Sequence, residues 1–298
     1  MDIKKIIVEE SNIRLDSYLS KELDISRSKV QKLIKEDKIT VNKKVEKESY
    51  KVKENDIIEV NDKLDFSINV EAEDIKLDIV YEDDYLMVIN KKSGMVVHPA
   101  PGNYNHTLVN ALLYHFGIKN TSNMRPGIVH RLDKDTSGLM LVSKDEKTLE
   151  LLSNMIKNKD VKRNYLAIVD GVISPDTATI DAPIGRDKNN REKMAITDVN
   201  SKEAITHIKV LKRYKKNTLL LCSLETGRTH QIRVHLAYIN HPVVNDPIYN
   251  KKKATSFGQM LHSTSIEFIH PITKENLHFE VDPPKEFKDY LQKLEEDL

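Results

Sequence analysis

At 298 residues the chain is long enough for two domains, and 39% hydrophobic residues against 31% charged ones supply both cores and their cover. Its 47 basic and 46 acidic residues leave a net charge of +1, so bulk electrostatics does not announce a nucleic-acid binder and any basic face must be local. The single cysteine, Cys222, excludes an intrachain disulfide framework, and no window approaches the ~18 apolar residues of a membrane span.

The N-terminus has two lysines but only a short apolar run, Ile6-Ile7-Val8, far short of a signal-peptide core, so a cytoplasmic address is expected. Residues 13–60 then read as a small module. Ile13, Leu15, Tyr18 and Leu19 repeat at helical spacing, with Asp16 and Ser17 outward. Ser26 is placed to cap a second helix over about Arg27 to Asp37, and short strands follow at Ile39–Val41 and Asp56–Val60. On that second helix Arg27, Gln31, Lys32, Lys35 and Lys38 share one side, while Val30, Leu33 and Ile34 share the other. This is a basic stripe backed by a core face, although on the helix alone an ordinary solvated face is the favoured reading, because lysine is the default surface residue.

Residues 62–76 lose apolar periodicity and turn acidic, which marks a linker between a first module at 1–61 and a second domain at 77–298. From Leu77 onward short strands mix with a few helices: Leu77–Tyr81, Leu86–Asn90, a Pro/Gly/Asn loop, then a helix near Thr107–Phe116 with Leu108, Ala111, Leu112 and Phe116 on one side. Strand and helix do not alternate regularly and no internal repeat is visible. A mixed α+β domain is therefore expected over a doubly wound sheet.

In Gly127–Asp145, two β-like runs, Ile128–Leu132 and Leu139–Ser143, flank a turn from Asp133 to Gly138. Asp133 would stand where a strand ends, a place where aspartate is usually a turn-former, and spacing alone does not make it a catalyst. Further on, an apolar run at Leu219–Leu224 carries Cys222, expected as a buried small hydrophobe. After it, Thr229 is placed to cap a helix whose Ile232, Leu236 and Ile239 form a core stripe. That leaves Arg233 on another side, free to meet a carboxylate or a phosphate. His230 and His235 are one residue too far apart for the usual helical metal pair and lack a neighbouring cysteine or acidic cluster, so no metal is expected.

HRLDKDTSG at 130–138 followed by GRTHQIRVHL at 227–236 closely resembles the RluA/RluD-type family of pseudouridine synthases. SGMVVHPAPGN at 93–103, KRNYLAIVDG at 162–171 and Leu261-His262-Ser263 agree with it. RLDSYL, SRSKVQKLIKEDKITVN and NDIIEV within 13–60 look like the S4 RNA-binding module that precedes the catalytic domain in many members, which raises the basic stripe above an ordinary surface. Four positions depart from the pattern. Asp37, Asn55 and Asn245 stand where glycine is usual, and Ser263 where alanine is common; loop geometry and RNA fit are at issue there, not reaction type.

The resemblance implies an S4-like α/β module followed by a mixed, mainly antiparallel-sheet catalytic domain that isomerises uridine to pseudouridine in RNA without a cofactor. It implies Asp133 as the essential carboxylate, Arg233 as its ion-pair partner, Tyr165 as the ring that stacks on the target base, and Leu261 as an apolar wall beside it. Loss of Arg233 would then cost activity more than folding. Arg131 would enter the RNA where the base has left, and Arg27, Lys32 and Lys35 would contact phosphates. Large-subunit ribosomal RNA is the expected partner, transfer RNA the alternative, and a monomer the default. Two rival classes remain: an S4-type RNA-binding protein without catalysis, and a glycosidic-bond hydrolase that pairs Asp133 with Asp135 as its second carboxylate.

Overall fold

The computed structural model describes residues 4–23, 25, 27–61, 70–99, 103–121, 125–190, 192–252 and 254–297. Ser26, the expected helix cap, and residues 62–69 of the expected linker lie outside them. The chain divides into two compact units, Met1–Ile68 and Asn69–Leu298.

The first unit runs β1 (Lys4–Ile7), α1 (Leu15–Glu22), α2 (Arg27–Lys35), β2 (Ile39–Val41) and β3 (Ile57–Val60). The strands form an antiparallel sheet in the order β1-β3-β2. Leu15 and Leu19 of α1 and Val30, Leu33 and Ile34 of α2 supply its core, as the helical spacing predicts. Asp37 and Asn55, two of the positions where glycine is usual, have φ of 55° and 67°. Aspartate and asparagine tolerate this left-handed region better than other side chains, so the loops keep a glycine-like path.

Asp16 corrects the expected outward face of α1, because its carboxylate is fully buried. It accepts from Arg14 Nε at 3.1 Å, Arg27 Nε at 2.9 Å and Gln31 Nε2 at 2.7 Å, so α1 and α2 are clamped through one anion. Burial alone would raise this carboxyl, but those donors hold it well below the usual carboxylate range. Its contribution to stability is full above the unfolded value of about 3.9 and is lost as pH falls through the lower folded value. Asp16→Ala should lower stability by about 2–3 kcal/mol at pH 7, since Arg14 and Arg27 are half-exposed and regain water. Urea denaturation of native and variant chains should show that difference shrinking as pH falls below 4.

The second unit begins with β4 (Val70–Glu71), β5 (Ile79–Glu82), β6 (Leu86–Lys91), α3 (Leu108–His115), β7 (Asn120–Thr121), β8 (Ser137–Ser143) and α4 (Glu146–Lys157). It continues with β9 (Lys162–Asp170), β10 (Thr177–Asp181), β11 (Ile184–Arg186), β12 (Met194–Ile196), β13 (Ile205–Arg213) and β14 (Asn217–Leu224). It closes with α5 (Gln231–Tyr238), β15 (Leu261–Ile269), β16 (Asn276–Glu280) and α6 (Lys285–Glu296). A nine-stranded sheet follows the order β10-β13-β14-β9-β15-β8-β6-β5, with β16 also paired to β15. Every pairing in it is antiparallel except β8 with β15, which gives the expected mixed, mainly antiparallel α+β architecture.

Alternate residues of the central strands feed two cores. Met87 and Ile89 of β6, with Met140 and Val142 of β8, join one cluster; Leu86 and Val88, with Leu139 and Leu141, join the other. Both faces are covered, so these strands read as continuous apolar runs rather than alternating ones.

Two expectations change here. Ile128–Leu132 is not a strand: only Ile128 bridges to Val142, and the His130 ring, not a backbone carbonyl, accepts the Leu141 amide at 3.0 Å. Residues 70–76 of the expected linker are built into the second unit, where β4 pairs with β7 and the Glu73 amide donates to the Asn110 carbonyl at 3.0 Å. Among the described residues no helix is long and apolar enough to cross a membrane.

Candidate active site

Three adjacent strands bring the distant motifs together. In register, Ser263 of β15 lies between Gly138 of β8 and Tyr165 of β9. Gly138 has φ of 109°, and a Cβ there would lie 2.2 Å from the Ser263 carbonyl oxygen, so the DTSG turn can lead into this parallel pairing only through glycine. Asp133 therefore stands one short turn before β8, with the Thr136 amide donating to its carbonyl at 3.1 Å.

The opposite wall is α5. Its N-cap is His230, not Thr229, and makes no side-chain cap bond. His230 instead adopts a left-handed φ of 57°, a region histidine enters more readily than most side chains, and its Nδ1 meets the Tyr249 hydroxyl at 2.8 Å while Nε2 lies 3.8 Å from Asp133 Oδ1. Gln231 anchors the first turn: its Nε2 donates to the Ile205 carbonyl and Thr206 Oγ1, and its Oε1 accepts from Thr226 and Arg228. His235 bonds Thr206 and the Ala182 carbonyl, so both histidines are ordinary hydrogen-bonding groups.

Arg233 is 2% exposed and holds two carboxylates at once. Nη1 donates to Asp133 Oδ2 at 2.8 Å, while Nε and Nη2 make a bidentate contact with Asp246 at 2.7 and 2.9 Å. Its guanidinium also lies over the Tyr249 ring, 5.1 Å from the centroid. Burial opposes the charge, but Asp246 and Asp133 keep the guanidinium firmly protonated. For Asp246 burial would raise the carboxyl, and the Arg233 contacts hold it below its usual value. Burial pushes His230 down, so it is neutral at pH 7.

These groups line a cavity of about 500 Å³, in the usual range for ligand sites. Asp133, Tyr165, Arg131, Arg233 and His230 all face it, with Leu132, Leu224 and Ile232 as its apolar lining. Tyr165 is 5% exposed, and burial raises its phenol so that it is protonated at neutral pH. Arg131 is exposed at the mouth, with Nη2 3.3 Å from Thr229 Oγ1. Leu261 is buried in the same core cluster as Tyr165 and is not among the side chains that line the cavity. Asp135 does not line it either; its side chain packs against Gly258, which removes it as a second carboxylate for a hydrolase. In the first unit Lys32 and Lys35 are exposed, whereas the half-exposed Arg27 is engaged by Asp16.

Asp246, Tyr249 and Lys91 were missed by sequence reasoning. The first two follow Asn245, whose φ of 63° makes the loop that delivers them. Buried Lys91 donates to the carbonyls of Lys92, Met95 and Lys134, each at 2.9 Å, tying the 92–95 loop to the residue after Asp133. Burial pushes its amine down to about 7, although the carbonyls and the nearby Asp133 and Asp135 carboxylates favour the ammonium. Lys91→Met should orphan the Lys92 and Met95 carbonyls, while the Lys134 carbonyl keeps the Gly94 amide at 3.0 Å; it should lower stability by about 2–3 kcal/mol in urea denaturation and reduce kcat more than it raises KM.

The family model described as RNA pseudouridylate synthase matches residues 85–238, and that of the S4 domain matches residues 13–58. The chain belongs to the RNA pseudouridylate synthase family. It is 46% identical to the uncharacterized RNA pseudouridine synthase YlyB of Bacillus subtilis, covering 96% of this chain and 95% of that one. It is 39% identical to the ribosomal large subunit pseudouridine synthase D of Zymomonas mobilis, covering 97% and 96%. Among solved structures, human RNA pseudouridylate synthase domain containing 1 superposes with a TM-score of 0.59 at 25% identity, covering 75% of this chain and 96% of that one. Membership in this synthase family makes the protein an RNA-modifying isomerase with an S4 domain at its N-terminus.

Proposed function

We propose that this pseudouridine synthase modifies specific uridines of large-subunit ribosomal RNA in the cytoplasm, as a monomer, with Asp133 as its essential carboxylate. The observation that carries the assignment of Asp133 is its surroundings: one oxygen on Arg233, the other toward neutral His230, in a cavity that Tyr165 also lines. An ionised, oriented and partly desolvated carboxylate is what each route requires, whether Asp133 attacks C1′, adds to uracil C6 or removes a ribose proton to give a glycal. The C1′–N1 bond breaks, the base turns in the site, C1′ joins C5, the C5 proton leaves and N1 gains one. Atoms and electrons balance without a cofactor.

A uridine in a helix has to be flipped out to reach Asp133, at roughly a few kcal/mol. Arg131, exposed among the cavity residues, would fill the gap and stack on neighbouring bases, and Tyr165 would stack on the flipped uracil. The S4 domain, through Lys32 and Lys35, supplies phosphate contacts that position the RNA, with Arg27 contributing what its bond to Asp16 leaves free. The large-subunit target rests on relatives named for it in Zymomonas mobilis and Neisseria meningitidis.

Because C5 loses its hydrogen, RNA labelled with tritium at uridine C5 reports the reaction directly. Tritium release from large-subunit ribosomal RNA and not from transfer RNA supports the substrate assignment; release from transfer RNA alone replaces it. Binding to RNA without release from either would favour an S4-type binding protein.

A further inference from the structure

Arg163 stands apart from the other buried charges of the cavity. It lies on β9 two residues before Tyr165, so both side chains leave the same face of the sheet, and both line the cavity. It is 4% exposed. Its Nε is buried with no hydrogen-bond partner, and none of the ion pairs among the described residues involves it. Arg233, equally buried on the opposite wall, holds two carboxylates. A buried guanidinium left without a countercharge is disfavoured, and proteins keep such a group chiefly where a ligand supplies the charge.

The surroundings leave room for that ligand. Gly227 faces the guanidinium, and a Cβ there would come to 3.0 Å from Arg163 Nη1, so the missing side chain leaves the nitrogen approachable. Of the basic groups lining the cavity beside it, Lys159 bonds Glu225 and Arg228 Nε donates to the Glu203 carbonyl, while Lys157 is exposed to solvent rather than buried. His130, buried beside Arg163, is held neutral and adds no competing cation.

We propose that Arg163 is the binding site for a backbone phosphodiester of the RNA at the flipped nucleotide. This rests on the reading of the cavity as the uridine site. A uracil carbonyl is neutral and would leave the guanidinium uncompensated, whereas a phosphodiester supplies a full charge and paired oxygens for a bidentate contact. The contact would fix the ribose relative to Asp133 from the side opposite Arg233.

The test uses the full chain in the Asp133→Asn background, which keeps the RNA unconverted, with Arg163→Gln and Arg163→Lys and unmodified large-subunit ribosomal RNA. Arg163→Gln should weaken binding by about ten- to a hundredfold. It should also flatten the plot of log affinity against log salt by about 0.7–0.9, the slope of one phosphate contact, and Arg163→Lys should restore that slope. Without RNA, Arg163→Gln should melt no lower than its parent, because an unpaired buried charge has gone. An unchanged salt slope in Arg163→Gln overturns the proposal, as does a lowered melting temperature with binding intact, which would make the residue structural. Tritium release by the native chain is scored separately: its absence would sink the catalytic reading, while a changed slope would still place a phosphate on Arg163.

Discussion

Asp133→Asn should bind unmodified ribosomal RNA within about threefold of the native chain and release tritium from C5-labelled uridine at least about a thousandfold more slowly. The amide is isosteric and still faces Arg233, so the cavity keeps its shape, but it has no anionic oxygen to attack carbon or accept a proton. Arg233 loses only one of its two carboxylates and keeps the bidentate contact with Asp246, so the fold should persist. A binding assay beside the tritium assay separates lost chemistry from lost structure. If the amide variant retained native turnover, another group would have to supply the carboxylate chemistry, and Asp135, packed against Gly258, is not placed to do so.

Arg233→Met should be damaging in a different way, with loss of folding free energy as well as activity. The expectation that Arg233 matters more for activity than for folding is revised by Asp246, whose fully buried carboxylate takes two of the three Arg233 bonds. The amides of Ile248 and Tyr249 remain on Asp246, but its countercharge is gone. Stranding a buried carboxylate in this way costs about 3–5 kcal/mol, readable in urea denaturation. The pH dependence carries a sign. Without Arg233, burial raises Asp246 above its unfolded value, so the folded chain binds the proton more readily and the deficit should narrow toward acidic pH. Arg233→Lys keeps one charge but not the fork, so it should recover part of the stability and little of the activity.

What the chain discloses before folding follows from the kind of interaction each residue makes. Apolar periodicity reports faces, so α2, α3 and β6 lie within a residue or two of their expected places, and Cys222 is the buried small hydrophobe its apolar run implies. The two motifs that meet as Asp133 and Arg233 are long enough to be read together, although their register is set by β8, β15 and β9. Buried polar groups are less legible, because their partners are distant. Asp16 looks like a solvent-facing helical aspartate until Arg14, Arg27 and Gln31 converge on it. Lys91 sits in a run, Asn90-Lys91-Lys92-Ser93, that reads as surface, yet it is the pin between two loops. His130 stands in for a backbone partner, and the strand expected around it is absent. Asp246 follows an asparagine whose left-handed backbone is the only local sign that the loop turns inward.

The most direct measurement is a map of pseudouridine by carbodiimide-directed primer extension on unmodified large-subunit ribosomal RNA incubated with the native chain, with Asp133→Asn alongside and RNA binding checked for both. Discrete new stops with the native chain and none with the bound variant are the expected result, and they would name the target uridines. Binding by both chains with no stops in large-subunit ribosomal RNA or in transfer RNA would contradict the assignment.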